Sequence, residues 1–138
     1  MEVEWKDLEK RDDRVLKNGT PYTGAVIEKT EGGETLSSGQ VVDGFENGLC
    51  RYWYPNGGGV RKESNTLRGV AHGHSFEYYP NGKTKKVSYS EFGVLLKETH
   101  YNDKGGVVDE FVQENKDILR YRDKQAVRLS KWIKNNKT

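Results

Sequence analysis

The chain has little besides packing with which to hold itself together. A single cysteine, Cys50, among 138 residues rules out an intramolecular disulfide framework. It lies in a strand-like apolar run and reads as a small buried side chain rather than a reactive thiol. Long hydrophobic runs are missing. No apolar segment follows Met1, and nothing approaches a membrane span, so the expectation is a cytoplasmic protein with no stable membrane insertion. Neither sign of charge dominates: 23 Lys and Arg against 21 Asp and Glu leave +2. A global field that would call for nucleic acid is therefore absent.

Hydrophobic residues are also sparse, at 33% against 32% charged, close to the border of disorder. Two features argue for order. Eight Tyr and three Trp carry large buried area per residue. The sixteen Gly are regularly spaced rather than clustered. These point to one domain with a thin core of rings and aliphatic stems. Charge is uneven along the chain, with eight Lys or Arg against three Asp or Glu in residues 111–138.

The glycines mark an internal repeat. Tyr54-Pro55-Asn56-Gly57 recurs as Tyr79-Pro80-Asn81-Gly82, and Tyr101-Asn102-Asp103-Lys104-Gly105 is a looser copy. Gly19, Gly44 and Gly69 form a second series, and Gly24, Gly48 and Gly73 a third. A shared period of about 25 residues predicts tandem supersecondary units. Asn18-Gly19, Asn47-Gly48, Asn56-Gly57 and Asn81-Gly82 carry the pair that type I′ hairpin turns demand. The intervening segments are six to nine residues long and rich in Tyr, Val, Thr and Phe, which is strand composition.

The predicted fold is therefore mainly β: an antiparallel meander of hairpin repeats in an elongated curved sheet, with a C-terminal capping helix. The predicted boundaries are an N-terminal cap over 1–18, repeats over 19–110 (about 19–43, 44–68, 69–92 and 93–110) and a basic strand and helix over 111–138. Glu2–Arg14, with apolar Val3, Trp5 and Leu8, reads as a short strand or helical turn closing the first hairpin. Over Asn115–Lys137 the spacing of Ile118, Tyr121, Gln125, Leu129, Trp132 and Ile133 is helical, and the stripe is suited to covering the last strand.

Strand alternation assigns faces. Arg51 and Trp53 share one face with Phe76 and Tyr78, and Trp53, Tyr78 and Tyr101 are expected to stack in a structural ladder. Cys50, Tyr52 and Tyr54 share the other face with Ser75, Glu77 and Tyr79. Tyr52, Tyr54, Glu77 and Tyr79 are the candidate partner-binding residues, joined by His72 and His74 at a turn. Gly24, Gly48, Gly73, Asn56, Gly57, Asn81 and Gly82 are repeat-building positions.

Gly73-His74-Ser75-Phe76-Glu77-Tyr78-Tyr79-Pro80-Asn81-Gly82-Lys83 resembles the unit of the MORN-repeat-variant family, and the lead-in Pro21-Tyr22-Thr23-Gly24 is similar too. The likeness covers roughly residues 4–110 and is nearest to bacterial antitoxin or immunity members of that family. It implies a sheet-forming protein that neutralises a cognate toxin by binding it. It carries over no catalytic residue. A lipid-associated repeat scaffold is the alternative, supported by the basic tail and by Lys83, Lys85 and Lys86.

Catalytic chemistry finds no pattern. His72 and His74 share a spacing that could suit a metal on one strand face, but no Cys, Asp or Glu completes a set. Gly57-Gly58-Gly59 lacks the Lys-Ser/Thr and helix of a phosphate cradle. Asp12-Asp13 and Asp109-Glu110 are isolated acidic pairs. The expectation is a non-enzyme with no metal, no cofactor and no nucleic-acid partner.

Overall fold

The computed structural model describes residues 3–136. Glu2 and Lys137, the outer ends of the predicted cap and helix segments, lie outside the described residues, as do Met1 and Thr138. After a 3-10 turn at Trp5–Asp7, β1 (Glu9–Arg11), β2 (Arg14–Lys17) and β3 (Thr20–Pro21) form a small antiparallel sheet. The main sheet has ten strands. Its path joins β4 (Gly24–Lys29), β5 (Thr35–Val42), β7 (Gly48–Trp53), β8 (Val60–Leu67), β10 (Gly73–Tyr78), β11 (Thr84–Glu91), β12 (Val94–Tyr101) and β13 (Val107–Val112). Two short strands lie off this path: β6 (Phe45–Glu46) pairs with β5, and β9 (Val70–Ala71) pairs with β8. The chain ends in α1 (Lys116–Asn135). The sheet is an open antiparallel meander and not a closed barrel.

Two kinds of turn alternate. At one end of the strands lie longer tips, where the Thr30, Tyr54, Tyr79 and Asn102 N–H groups donate to the carbonyls of Glu34, Gly59, Lys83 and Gly106. At the other end lie two-residue turns at Asn18-Gly19, Asp43-Gly44, Arg68-Gly69 and Phe92-Gly93. Both residues of each such pair have positive φ, as a type I′ turn demands. The Asn-Gly expectation is corrected here. Asn18-Gly19 is such a turn, whereas Asp43, Arg68 and Phe92 fill the Asn position elsewhere. At Asn81-Gly82 only the glycine has positive φ, because the tip is longer and closes Tyr79 onto Lys83. Asn47-Gly48 is not a turn at all: Gly48 opens β7.

Asn47 has a different job, shared by two other residues. Its Oδ1 accepts the Arg68 N–H at 3.1 Å, as Thr23 Oγ1 accepts that of Asp43 at 2.9 Å and His72 Nδ1 that of Phe92 at 3.0 Å. Beside each, the turn glycine donates to a backbone carbonyl of the preceding repeat: Gly44 to Tyr22, Gly69 to Glu46 and Gly93 to Ala71, all at 2.8 Å. Both N–H groups of each of the three later tight turns are thus seated on the repeat before it. The third glycine series follows each acceptor, as Thr23-Gly24, Asn47-Gly48 and His72-Gly73, with φ of 151°, 96° and 103° at the glycines.

The sheet is one layer thick over most of its length, and its cluster of buried apolar residues is small and sits at the N-terminal end. Val26 and Val41 are fully buried, and with Val15 they form the central cluster, packed against Trp5, Leu8 and Tyr22. The N-terminal segment also covers the outer edge of β4, where the Ile27 N–H donates to the Val3 carbonyl at 2.9 Å.

Helix α1 forms where its periodicity predicts. Asn115 caps it, its Oδ1 accepting the N–H groups of Asp117 and Ile118. Its contacts differ from the expected closure of the last strand. Arg122 reaches Glu91 at 3.0 Å, Trp132 meets Phe45 edge-on at 6.2 Å, and Leu129 is buried. The helix therefore lies along the tight-turn ends of the strands, while every residue of β13 stays exposed.

Gly44 and Gly82 separate backbone strain from contact. Their φ values are 83° and 86°, but a Cβ on Gly44 would sit 3.0 Å from the Val15 carbonyl oxygen, and one on Gly82 would meet nothing. Gly82→Ala should cost only the left-handed strain, about 1–2 kcal/mol. Gly44→Ala should cost measurably more in urea denaturation, and equal losses would contradict the seating of the turn against β2.

Candidate functional site

The strand register builds one continuous row across the sheet. Glu28, Ser37, Tyr52, Lys62, Glu77, Lys86, His100 and Asp109 stand directly opposite one another on successive strands, so their side chains share a face. Two residues along, the same face carries small groups: Cys50 opposite Ser64, and Ser75 opposite Ser88. The next step pairs Gly48 with Thr66 and Gly73 with Ser90. Small side chains beside a row of long ones leave a trough. A depression of ≈ 370 Å³ lies over Ser64, Ser75 and Ser88 between Lys62, Glu77, Lys86 and Glu98. Toward the N-terminus it gives way to a larger pocket of ≈ 550 Å³. There Trp5, Leu8 and Val15 of the cap face Ser37, Glu46 and Tyr52 of the sheet.

Within the long row Lys62, Glu77 and Lys86 alternate in sign, and Glu98 joins them from the neighbouring row, opposite Ser88. Lys86 Nζ lies 2.7 Å from Glu77 and 3.4 Å from Glu98, and His100 Nε2 lies 3.0 Å from Glu98. Partial burial works against the Glu77 carboxylate. The Lys86 hydrogen bond and charge, with Lys62 and Lys85, outweigh it and hold Glu77 below the usual carboxylate range. The same hydrogen bond raises Lys86. Both groups are thus charged at neutral pH and committed to each other. Tyr52 stands at the junction of trough and pocket. Burial, then its hydrogen bond with Cys50, pushes its phenol far above the usual value. Burial likewise raises the Cys50 thiol. Neither group is primed as a nucleophile.

The opposite face differs. His74, Phe76 and Tyr78 stack along β10, and the Tyr78 hydroxyl donates to Glu63 at 2.8 Å, which also pairs with Arg51 at 2.8 Å. Arg51 and then Tyr78 hold Glu63 below the carboxylate range. Among the described residues no ring pair joins Trp53, Tyr78 and Tyr101, so the expected ladder is absent. The reason is geometric. Each repeat contributes two strands, so equivalent positions lie two strand spacings apart, about 9–10 Å.

The six candidate partner residues fall into four placements. Tyr52 and Glu77 face the trough. Tyr54 and Tyr79 tie one repeat to the next, their hydroxyls donating to the carbonyls of Tyr78 and Tyr101 at 2.6 Å. His72 receives the Phe92 N–H and sets its ring 4.5 Å from the Phe92 ring. His74 is exposed on the opposite face, 4.8 Å from the Tyr89 ring. Gly73, at φ 103°, separates the two histidines, and they serve different neighbours. Among the described residues no three His, Cys, Asp or Glu are grouped to hold a metal. The basic cluster also divides: Lys86 joins the charge ladder, Lys85 lies over the Tyr79 ring, and Lys83 Nζ reaches the Lys104 carbonyl. Sequence reasoning missed Lys62 and Glu98, and it placed Lys86 in a basic cluster rather than opposite Glu77, because these positions depend on strand pairing.

No protein-family model, no curated protein and no solved structure matches the chain.

Two predictions follow from these contacts. Tyr79→Phe removes one hydroxyl tie and should lower the unfolding free energy by about 1 kcal/mol, read by urea denaturation. The Glu77–Lys86 pair should act at both ends of the pH scale. Glu77 is depressed, so its contribution is full above about pH 4.3 and is lost as pH falls through its lowered value. Lys86 is raised, so its contribution is full below about pH 10.4 and is lost as pH rises through its raised value. Glu77→Gln should flatten both limbs of a plot of Tm against pH; unchanged limbs would remove the pair from the stability account.

Proposed function

We propose that this chain is a non-catalytic binding protein of the antitoxin or immunity type, which neutralises a cognate toxin by seating part of it in the trough. The observation that carries the reading is the position of Tyr52, an aromatic ring at the junction of a pocket and a charged groove. Tyrosine anchors bury large area at low entropic cost, and a surrounding polar rim gives specificity. The resemblance of the hairpin unit to MORN-repeat-variant antitoxins supplies the partner class.

The test is affinity capture of the tagged protein from its native cells, followed by growth rescue from the captured partner. Tyr52→Ala and Lys62→Ala should lose rescue while keeping the fold by circular dichroism. Leu49→Ala, an exposed change on the opposite face, should keep both. Loss of rescue by Leu49→Ala alone would place the interface on the wrong side of the sheet for this reading.

A second reading, a scaffold on anionic lipid, draws on α1. Ile118, Tyr121 and Val127 are exposed there, interspersed with Lys116, Arg120, Lys124, Arg128 and Lys131. Flotation with phosphatidylserine vesicles at low salt decides it: co-flotation abolished by Val127→Glu supports the scaffold, and a protein that stays at the bottom removes it.

A further inference from the structure

The two ends of the main sheet are treated differently. The outer edge of β4 is covered by Val3–Glu4, which forms a short parallel bridge at Ile27. The strand at the far end, β13, has a single hydrogen-bonded neighbour, β12. Among the described residues its outer backbone groups have no strand partner, and only the outward Glu110 N–H is engaged, by its neighbour Asp109 at 3.0 Å. Four of its six residues are large and apolar, and all four are exposed: Val107 by 56%, Val108 by 61%, Phe111 by 42% and Val112 by 57%.

The remaining two residues, Asp109 and Glu110, decide what the edge accepts. They point to opposite faces, Asp109 beside His100 and Glu110 beside Thr99. Neither carboxylate takes part in an ion pair among the described residues. The Asp109 Oδ1 merely accepts the neighbouring Glu110 N–H. Acidic residues on an edge strand deter copies of the same chain, since a second β13 brings acid toward acid. They do not deter a basic strand. On the trough face Lys62, Glu77 and Lys86 alternate in sign, His100 follows, and Asp109 ends the row with a carboxylate whose complement on an added strand is a cation. On the other face Glu110 sets the same requirement. Because side chains alternate along a strand, the residues opposite Asp109 and Glu110 are adjacent in the incoming sequence.

We propose that the outer edge of β13 is a strand-addition site for a partner segment with two adjacent basic residues flanked by β-branched or aromatic ones. Main-chain pairing would supply affinity and the two carboxylates the register, as in other strand-addition recognition. The site is separate from the trough and stands whether or not the trough binds a toxin.

The experiment uses the full chain and a synthetic peptide of alternating Thr and Val around a central Lys-Arg, with a Glu-Glu peptide as control. Binding is read by titration calorimetry and by amide hydrogen exchange. The basic peptide should bind and slow exchange at the outward-facing amides of β13, and the acidic one should not. Asp109→Lys with Glu110→Lys should weaken the basic peptide by roughly tenfold and admit the acidic one. Tyr52→Ala should leave both results unchanged, which keeps this site distinguishable from the trough. The proposal is overturned if the basic peptide leaves β13 exchange unaltered, if charge reversal leaves the preference unaltered, or if β13 is already protected by self-association in sedimentation.

Discussion

The structure depends on how each tight turn is seated. A β-hairpin of this length is marginal alone, and a single-layer sheet cannot rescue it by burying a second face. What replaces the missing layer is a set of directional bonds from one repeat to the next. The two N–H groups of a two-residue turn have no partner within the loop, so at Asp43-Gly44, Arg68-Gly69 and Phe92-Gly93 the preceding repeat provides two acceptors. A backbone carbonyl supplies one, and the side chain of Thr23, Asn47 or His72 supplies the other. At the opposite ends of the strands, Tyr54 and Tyr79 do the corresponding work with their hydroxyls. Both margins of the sheet are thus laced, and the interval between the lacings fixes the repeat length.

That arrangement explains what was legible in the sequence. The glycine series were visible because positive φ leaves few residue choices, and two of them mark the tight turns and the positions just after the acceptors. The identity of the turns was less legible. Asn-Gly is a strong signal for a tight hairpin, yet Asn47-Gly48 uses its Asn as an acceptor and Asn81-Gly82 belongs to a longer tip. Meanwhile Arg68 and Phe92 adopt φ of 45° and 50° with no side-chain preference to announce it, since the seating bonds hold them there. Tertiary bonds overrode local propensity at those positions.

The trough was half legible for a related reason. Alternation along β7 and β10 placed Cys50, Tyr52, Ser75 and Glu77 on one face, and the register agrees. The other half lies on β8, β11 and β12: the tips before β8 and β11 each carry a bulge that inserts one residue, and β12 has its own register shift, opposite Tyr89 and Ser90. Counting by twos from the tip therefore lands on the wrong face. Lys85 and Lys86 show the consequence: adjacent in sequence, they end beside Tyr79 and Glu77 and do not form a patch.

A one-layer sheet has two faces and two edges, and this chain commits them unequally. One face is occupied at its N-terminal end by the cap and left open as a trough beyond it. The other is filled along β10 by its own rings and by the Arg51–Glu63–Tyr78 network. Helix α1 takes up the tight-turn margin, which leaves β13, at the far edge of the main sheet, with no pairing partner on its outer side among the described residues. If its acidic pair served only to keep copies apart, polar neighbours would do better than three valines and a phenylalanine, which add to the liability the charges oppose. Apolar residues and unpaired acids on the same open strand are in conflict for an isolated molecule. They stop being in conflict once a strand of opposite charge and similar apolar character lies alongside.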